Sequence, residues 1–117
     1  MDVLSILLLL LAGHFVGDFV LQTSPMSSGK NRNNSRERFD DSFPQWYYWL
    51  SAHASTHGLI VYLVTGSIIF LMCEFLSHWL IDFMKCDKLI SLHQDQLLHL
   101  LTKLAFAAVI YFMGIPA

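Results

Sequence analysis

The chain has 117 residues, of which 55% are hydrophobic and 14% charged, with a formal net charge of −2. That length allows one domain, and so high an apolar share is far from an ordinary soluble domain. The slightly acidic balance excludes the global basic signature of a nucleic-acid binder, so no nucleic-acid partner is expected.

The first predicted helix covers 2–22. It is built on the run Leu7 to Leu11, with no basic segment before it and no small-residue cleavage site after it, so it reads as a membrane span rather than a secretory signal. The stretch 23–45 is rich in Ser, Asn, Arg and Asp and holds two prolines, which predicts a mobile polar loop. From Trp46 to Lys85 the chain turns apolar again. As one helix this stretch would be about 60 Å long, twice the thickness of a hydrocarbon core. Thr65–Ser67 is therefore predicted as a tight hairpin between helices over 46–64 and 67–85. The connection 85–91 leads to a last helix over 92–114. The expected fold class is all-α, a polytopic membrane protein whose single domain, 1–117, is an antiparallel bundle of four transmembrane helices. Cys73 and Cys86 have no metal-type spacing and are expected as reduced thiols.

The positive-inside rule orients such a bundle. Lys30, Arg32, Arg36 and Arg38 lie in the first connection, Lys85 and Lys88 in the third, and none of either type lies on the other side. Both connections are expected to be cytoplasmic and both termini extracytoplasmic. Trp46, Tyr47, Tyr48 and Trp49 then fall at the cytosolic interface, where an aromatic belt is expected. The first connection's basic cluster, interrupted by Glu37, Asp40 and Asp41, reads as a topology determinant with some attraction to anionic headgroups.

Each predicted helix carries two potential metal ligands four residues apart: His14 and Asp18, His53 and His57, His78 and Asp82, Asp95 and His99. Residues i and i+4 share one helix face, so each pair can reach one ion or two adjacent ions, as in bundle-core metal sites. The pairs lie late in the first and third helices and early in the second and fourth. At about 1.5 Å per residue, all eight fall in one slab roughly 5–15 Å from the cytosolic face. Lone ionisable residues in a span can be satisfied by a neighbouring helix or snorkel to water. Eight at one depth are better explained by a divalent metal, since neutral imidazole and carboxylate are its ligands. Zinc is the first expectation, manganese or iron the next. Five histidines and three aspartates exceed one tetrahedral ion and suggest two. Asp18, Asp82 and Asp95 are the candidate catalytic carboxylates.

Four other residues continue these stripes. Gln22 could orient a ligand or cap its helix, and Glu74 could support the site, relay protons or serve as a structural acid. Gln96 points about 100° from Asp95, which favours a helix–helix hydrogen bond. Lys103 shares the face of Asp95 and His99 and could pair with Glu74, bind an anionic substrate or snorkel. His93 lies outside the spacing, as an interface or capping residue. Gly13 and Gly17 suit close helix packing.

The motifs HFVGDFVLQ (His14–Gln22), HASTHG (His53–Gly58), SHWLID (Ser77–Asp82) and DQLLH (Asp95–His99), in this order, resemble the domain of unknown function 3307 family. The resemblance implies a small polytopic membrane protein of bacteria or phages. A more distant likeness of pattern, to inner-membrane metal-dependent hydrolases, is analogy alone.

The expected function is a membrane-embedded metal-dependent hydrolase acting on a phosphoester or lipid-linked substrate, with the lipid bilayer as partner and a homo-oligomer compatible with it. The alternative is a non-enzymatic bundle that transports metal ions or protons. A third reading, a small phage-type structural or lysis protein, explains the size and the spans but leaves the ligand pairs unused.

Overall fold

The computed structural model describes residues 1–37 and 42–117, so Arg38, Asp40 and Asp41 of the first connection's charge cluster lie outside the described residues. Helix α1 spans Val3–Phe15 and runs on into a π-helical turn, Val16–Val20. A short α2, Ser24–Gly29, and a 3-10 turn, Arg32–Glu37, follow. The long helices α3 (Trp46–Thr65), α4 (Ile68–Cys86) and α5 (Leu92–Met113) complete the chain. Among the described residues there is no strand.

Local chemistry sets each boundary. The Asp2 carboxylate caps α1 by accepting the Ser5 amide at 2.7 Å, and Thr23 caps α2. The α3–α4 break falls where the sequence places it. Gly66 takes the left-handed conformation (φ 71°), which only glycine adopts without strain. Thr65 Oγ1 accepts the Ser67 amide at 3.2 Å, and Ser67 Oγ accepts the Phe70 amide at 3.1 Å. A capping box, Ser91 with Gln94, starts α5.

The four long helices close a ring in which α1 packs on α3 and α5, and α4 packs on the same two. Close approach rests on small residues. A Cβ on Gly13 would lie 2.5 Å from Ile60 Cγ2, and one on Gly17 would lie 2.5 Å from the His57 ring. One half of the bundle is filled by Ile6, Leu10, Val61, Phe70, Phe106 and Ile110. The other half is filled by polar groups, and the outward faces carry Leu4, Phe19, Leu63, Leu76 and Tyr111. Charge inside and hydrocarbon outside is the reverse of a soluble domain.

Two helices, Val3–Val20 and Leu92–Met113, are long and apolar enough to cross a membrane by length and composition, where the sequence predicts four spans. The difference has a physical source in the site itself. Helix α4 carries Glu74, Asp82 and Lys85, and α3 carries two histidines behind an aromatic-rich start.

Two further departures bear on function. The sequence predicts an unbroken first helix, whereas the Leu21 amide donates to Val16 O at 2.9 Å, five residues back. This π turn carries Asp18, and such turns recur at functional sites. The predicted loop 23–45 contains α2 and the 3-10 turn, and it buries Lys30 to 3% exposure.

Candidate metal centre

All eight predicted ligands meet at the polar end of the bundle. His14, His53, His57, His78, His99, Asp82 and Asp95 are at most 1% exposed, and Asp18 is 8% exposed. Asp18 is the hub. Its Oδ1 lies 3.1 Å from His53 Nε2, 2.9 Å from His57 Nε2 and 3.7 Å from His78 Nε2. Its Oδ2 accepts from Gln96 Nε2 at 2.9 Å and lies 3.5 Å from His14 Nε2. Across the bundle, Asp82 Oδ1 faces His99 Nε2 at 3.2 Å, and Asp82 Oδ2 faces His53 Nε2 at 3.3 Å. Asp95 Oδ1 stands 3.3 Å from His99 Nε2. The π turn brings the Asp18 carboxylate to α3 and α5 together, and the missing Cβ of Gly17 leaves room for His57.

Ligand atoms of Asp18, His53, His57 and His78 all lie within 4.8 Å of one another, the donor set of a tetrahedral zinc. The sets His14, His78, His99 and Asp18, Asp95, His99 meet the same limit and share members with the first, so a second ion would be an immediate neighbour. An orphaned nitrogen speaks for ligation. His78 Nδ1 is held by Glu74 Oε1 at 3.2 Å, while the buried His78 Nε2 has no hydrogen-bond partner among the described residues. A carboxylate on one ring nitrogen and an open lone pair on the other is the arrangement of metal-bound histidine.

The flanking residues divide. Glu74 supports His78, and Lys103 pairs with Glu74 through a 2.5 Å contact, which selects the ion-pair alternative for Lys103. Gln96 bridges helices as its angle predicts, but it also reaches the centre: its Oε1 faces His14 Nε2 at 2.9 Å, and its Nε2 donates to Asp95 Oδ2 at 3.1 Å. Gln22 is a helix cap, since its Nε2 donates to the Asp18 carbonyl at 3.1 Å. His93 is exposed and outside the cluster. Cys73 and Cys86 are free thiols on α4.

Sequence reasoning missed Lys30, whose Nζ donates to Asp82 Oδ2 at 2.6 Å. The residue marked as a topology determinant is part of the centre's inner surface. Nothing in its polar neighbourhood signals this, because a segment without periodicity has no inward face to read. The adjoining Arg32 donates from Nε and Nη2 to Asp87 at 3.0 and 2.5 Å, which holds the Asp87 carboxyl below its usual range.

Fold and site together define a class: an all-helical bundle, part of it apolar enough to span a membrane, with a buried histidine–carboxylate centre at one end. The chain belongs to the family described as Protein of unknown function (DUF3307), whose model matches residues 6–115 and so contains the whole centre. No curated protein matches the chain, and no solved structure does.

Proposed function

We propose that this chain is an integral membrane metal-dependent hydrolase. Its centre would take divalent metal, zinc first and manganese or iron next, and act on a phosphoester or lipid-linked substrate. The observation that carries the reading is the convergence of five imidazoles and three carboxylates from four helices, all buried, with the open His78 Nε2 among them. A set of this composition has the ligands of a catalytic metal, and its mutual hydrogen bonds leave the His78 Nε2 lone pair unused. The apolar outward faces support the reading of four membrane spans, and the bacterial inner membrane follows from the family resemblance alone. The lysines and arginines at the polar end support a cytosolic centre with both termini on the far side.

Bound metal would supply Lewis acidity and an activated water. The chain's own residues do the rest. Asp18, His53, His57 and His78 would hold the ion, Glu74 keeps His78 Nε2 open, and Gln96 orients His14 and Asp18. Asp95 Oδ1 would be the acceptor for the proton lost by the attacking water, because its one contact among the described residues is the 3.3 Å approach to a histidine that already faces Asp82. Transport is disfavoured by the apolar cluster of Leu10, Val61, Phe70 and Phe106, which fills the bundle between the centre and the far side.

The test is hydrolysis of a panel of phosphate mono- and diester lipids by zinc-loaded protein in detergent, read as release of phosphate, phosphomonoester or alcohol, beside Asp95→Asn. Metal-dependent release that the variant loses supports the reading. No release from any lipid, together with zinc or proton flux in proteoliposomes, would replace it with transport.

A further inference from the structure

Asp82 is buried with the other seven residues of the cluster, yet among the described residues it belongs to none of the sets whose ligand atoms converge closely enough for an ion. Its oxygens are engaged elsewhere. Oδ1 faces His99 Nε2 at 3.2 Å, and Oδ2 accepts from Lys30 Nζ at 2.6 Å. The same Oδ2 lies 3.3 Å from His53 Nε2, so the ammonium stands beside a member of the tetrahedral set without belonging to it. Asp82 is placed to aim a lysine at the centre rather than to bind metal there.

The backbone around Lys30 fixes that placement. Lys30 ends α2, where its amide donates to the Met26 carbonyl at 3.0 Å. The preceding Gly29 lies so close to Trp49 that a Cβ there would overlap the indole. Beyond Lys30 the strap is tied down again: Arg32 Nε donates to Asp87 Oδ1 at 3.0 Å, and Asn33 Nδ2 donates to the Cys86 carbonyl at 3.0 Å. These ties sort two neighbouring cations. Arg32 meets a carboxylate at the rim, while Lys30 is turned inward and is 3% exposed.

Two features of the inward ammonium point to an anionic ligand. An ammonium carries three N–H donors and no acceptor. Asp82 is the one partner of Lys30 Nζ among the described residues, which leaves donors open inside the polar end. The second feature is charge. Among the described residues, Asp18, Asp82, Asp95 and Glu74 are the buried carboxylates, and Lys30 and Lys103 the buried ammoniums. With the imidazoles neutral, as metal ligation requires, one divalent ion brings this set to neutrality. Without Lys30 the loaded centre would stay negative and repel an anion. Lys103 is committed to Glu74, so Lys30 is the ammonium left to meet a substrate.

We propose that Lys30 is a substrate-binding residue whose ammonium, aimed by Asp82, donates to a non-bridging oxygen of a phosphodiester bound at the Asp18, His53, His57, His78 set. A diester brings one negative charge into a neutral, dry centre where a monoester brings two, and burying charge is costly. Of the long helices α2 packs mainly on α3, so the strap can lift and admit the ester without parting the helices that carry the ligands. The proposal rests on the metal-centre reading above, and it narrows the substrate to phosphodiesters.

The experiment uses the full chain in detergent, loaded with zinc, and measures bound zinc per chain and affinity for dihexyl phosphate. The natural chain is compared with Lys30→Met and with the double variant Lys30→Met, Asp82→Asn, which strands no buried charge and so serves even if the single variant does not fold. Expected are full zinc in each folded protein and about 10–100-fold weaker diester binding by both variants, the range for one hydrogen bond to a charged group. If Lys30 only neutralises Asp82, the double variant binds the diester as tightly as the natural chain, and that result overturns the proposal. A zinc-loaded natural chain with no affinity for the diester also overturns it and leaves the metal centre standing. A folded double variant that loses its zinc makes Asp82 a ligand and overturns its role in aiming Lys30. Dimethyl phosphate, the same anion without chains, separates the sources: a lipid site binds the dihexyl ester more tightly, and a site for water-soluble esters binds both alike. A folded natural chain that binds no zinc overturns both this proposal and the metal centre.

Discussion

Replacing Lys103 with methionine removes the ammonium from a pair 2.5 Å apart whose two side chains are each 1% exposed. Glu74 then keeps His78 Nδ1 at 3.2 Å, and its Oε2 has no partner among the described residues. Stripping one partner from a buried pair costs about 3–5 kcal/mol, and a carboxylate with one oxygen already unsatisfied belongs at the upper end. Taking out both charges, Lys103→Met with Glu74→Leu, leaves no uncompensated ion. Stability should return to within about 1 kcal/mol of the natural chain, and because Glu74→Leu alone strands the Lys103 ammonium in the same way, the coupling across the cycle should be about 5 kcal/mol or more. The assay is denaturant unfolding of all four proteins in detergent with chelator, so that metal binding does not enter the comparison. Zinc affinity, measured separately, should stay about 10–100-fold down in the double variant, because His78 has lost the carboxylate that orients it. A Lys103→Met protein as stable as the natural chain, or a double variant no better than the single, refutes the argument.

Gly17→Leu places side-chain atoms where the His57 ring lies 2.5 Å from a bare Cβ; zinc content should fall with it, while a substitution at the exposed Leu63 should leave zinc unchanged. Gln22→Ala should cost about 0.5–1.5 kcal/mol for one lost hydrogen bond and keep the full metal content, whereas metal loss would make Gln22 part of the centre. The Arg32–Asp87 contact holds the Asp87 carboxyl down through Arg32's hydrogen bonds. Its stabilisation is therefore complete above the ordinary aspartate value, about pH 4, and is lost as the pH falls through the lower folded value. Hydrogen-exchange protection over 32–33, taken relative to the intrinsic rate at each pH, should fall only in that acid range, and Arg32→Gln should lower it at neutral pH as well; protection in the natural chain that already falls between pH 7 and 5 would contradict this.

The convergence of the eight His and Asp residues was legible because two independent patterns agree. The i,i+4 pairs give each helix a polar face, and the loop charges give each helix a direction, which together put eight residues at one level. The hairpin was legible for a similar reason, since Thr65, Gly66 and Ser67 carry turn and cap chemistry at the only length that divides the apolar stretch. Asp18 shows the limit. Its spacing from His14 fits a regular helix, yet Asp18 sits in a π turn at the hub, and the i,i+4 pattern does not announce that turn. Gln96 looked peripheral because helical angle alone ignores the reach of a long amide. Lys30 was invisible to periodicity, and its charge served a topology argument that said nothing of where the ammonium points. The four-span expectation outran hydropathy on α3, where two histidines and an aromatic-rich start lower the apolar average, and on α4, which carries three charged residues, Glu74, Asp82 and Lys85.

The central claim is that the buried cluster binds divalent metal, and metal content tests it most directly. Full-length protein purified in detergent without chelator is analysed by elemental mass spectrometry beside His57→Ala and Asp18→Ala, with folding checked by circular dichroism. The account predicts at least one equivalent of zinc, manganese or iron in the natural chain and a large loss in both variants. A folded natural chain that is metal-free and takes up none on dialysis against these ions would contradict it.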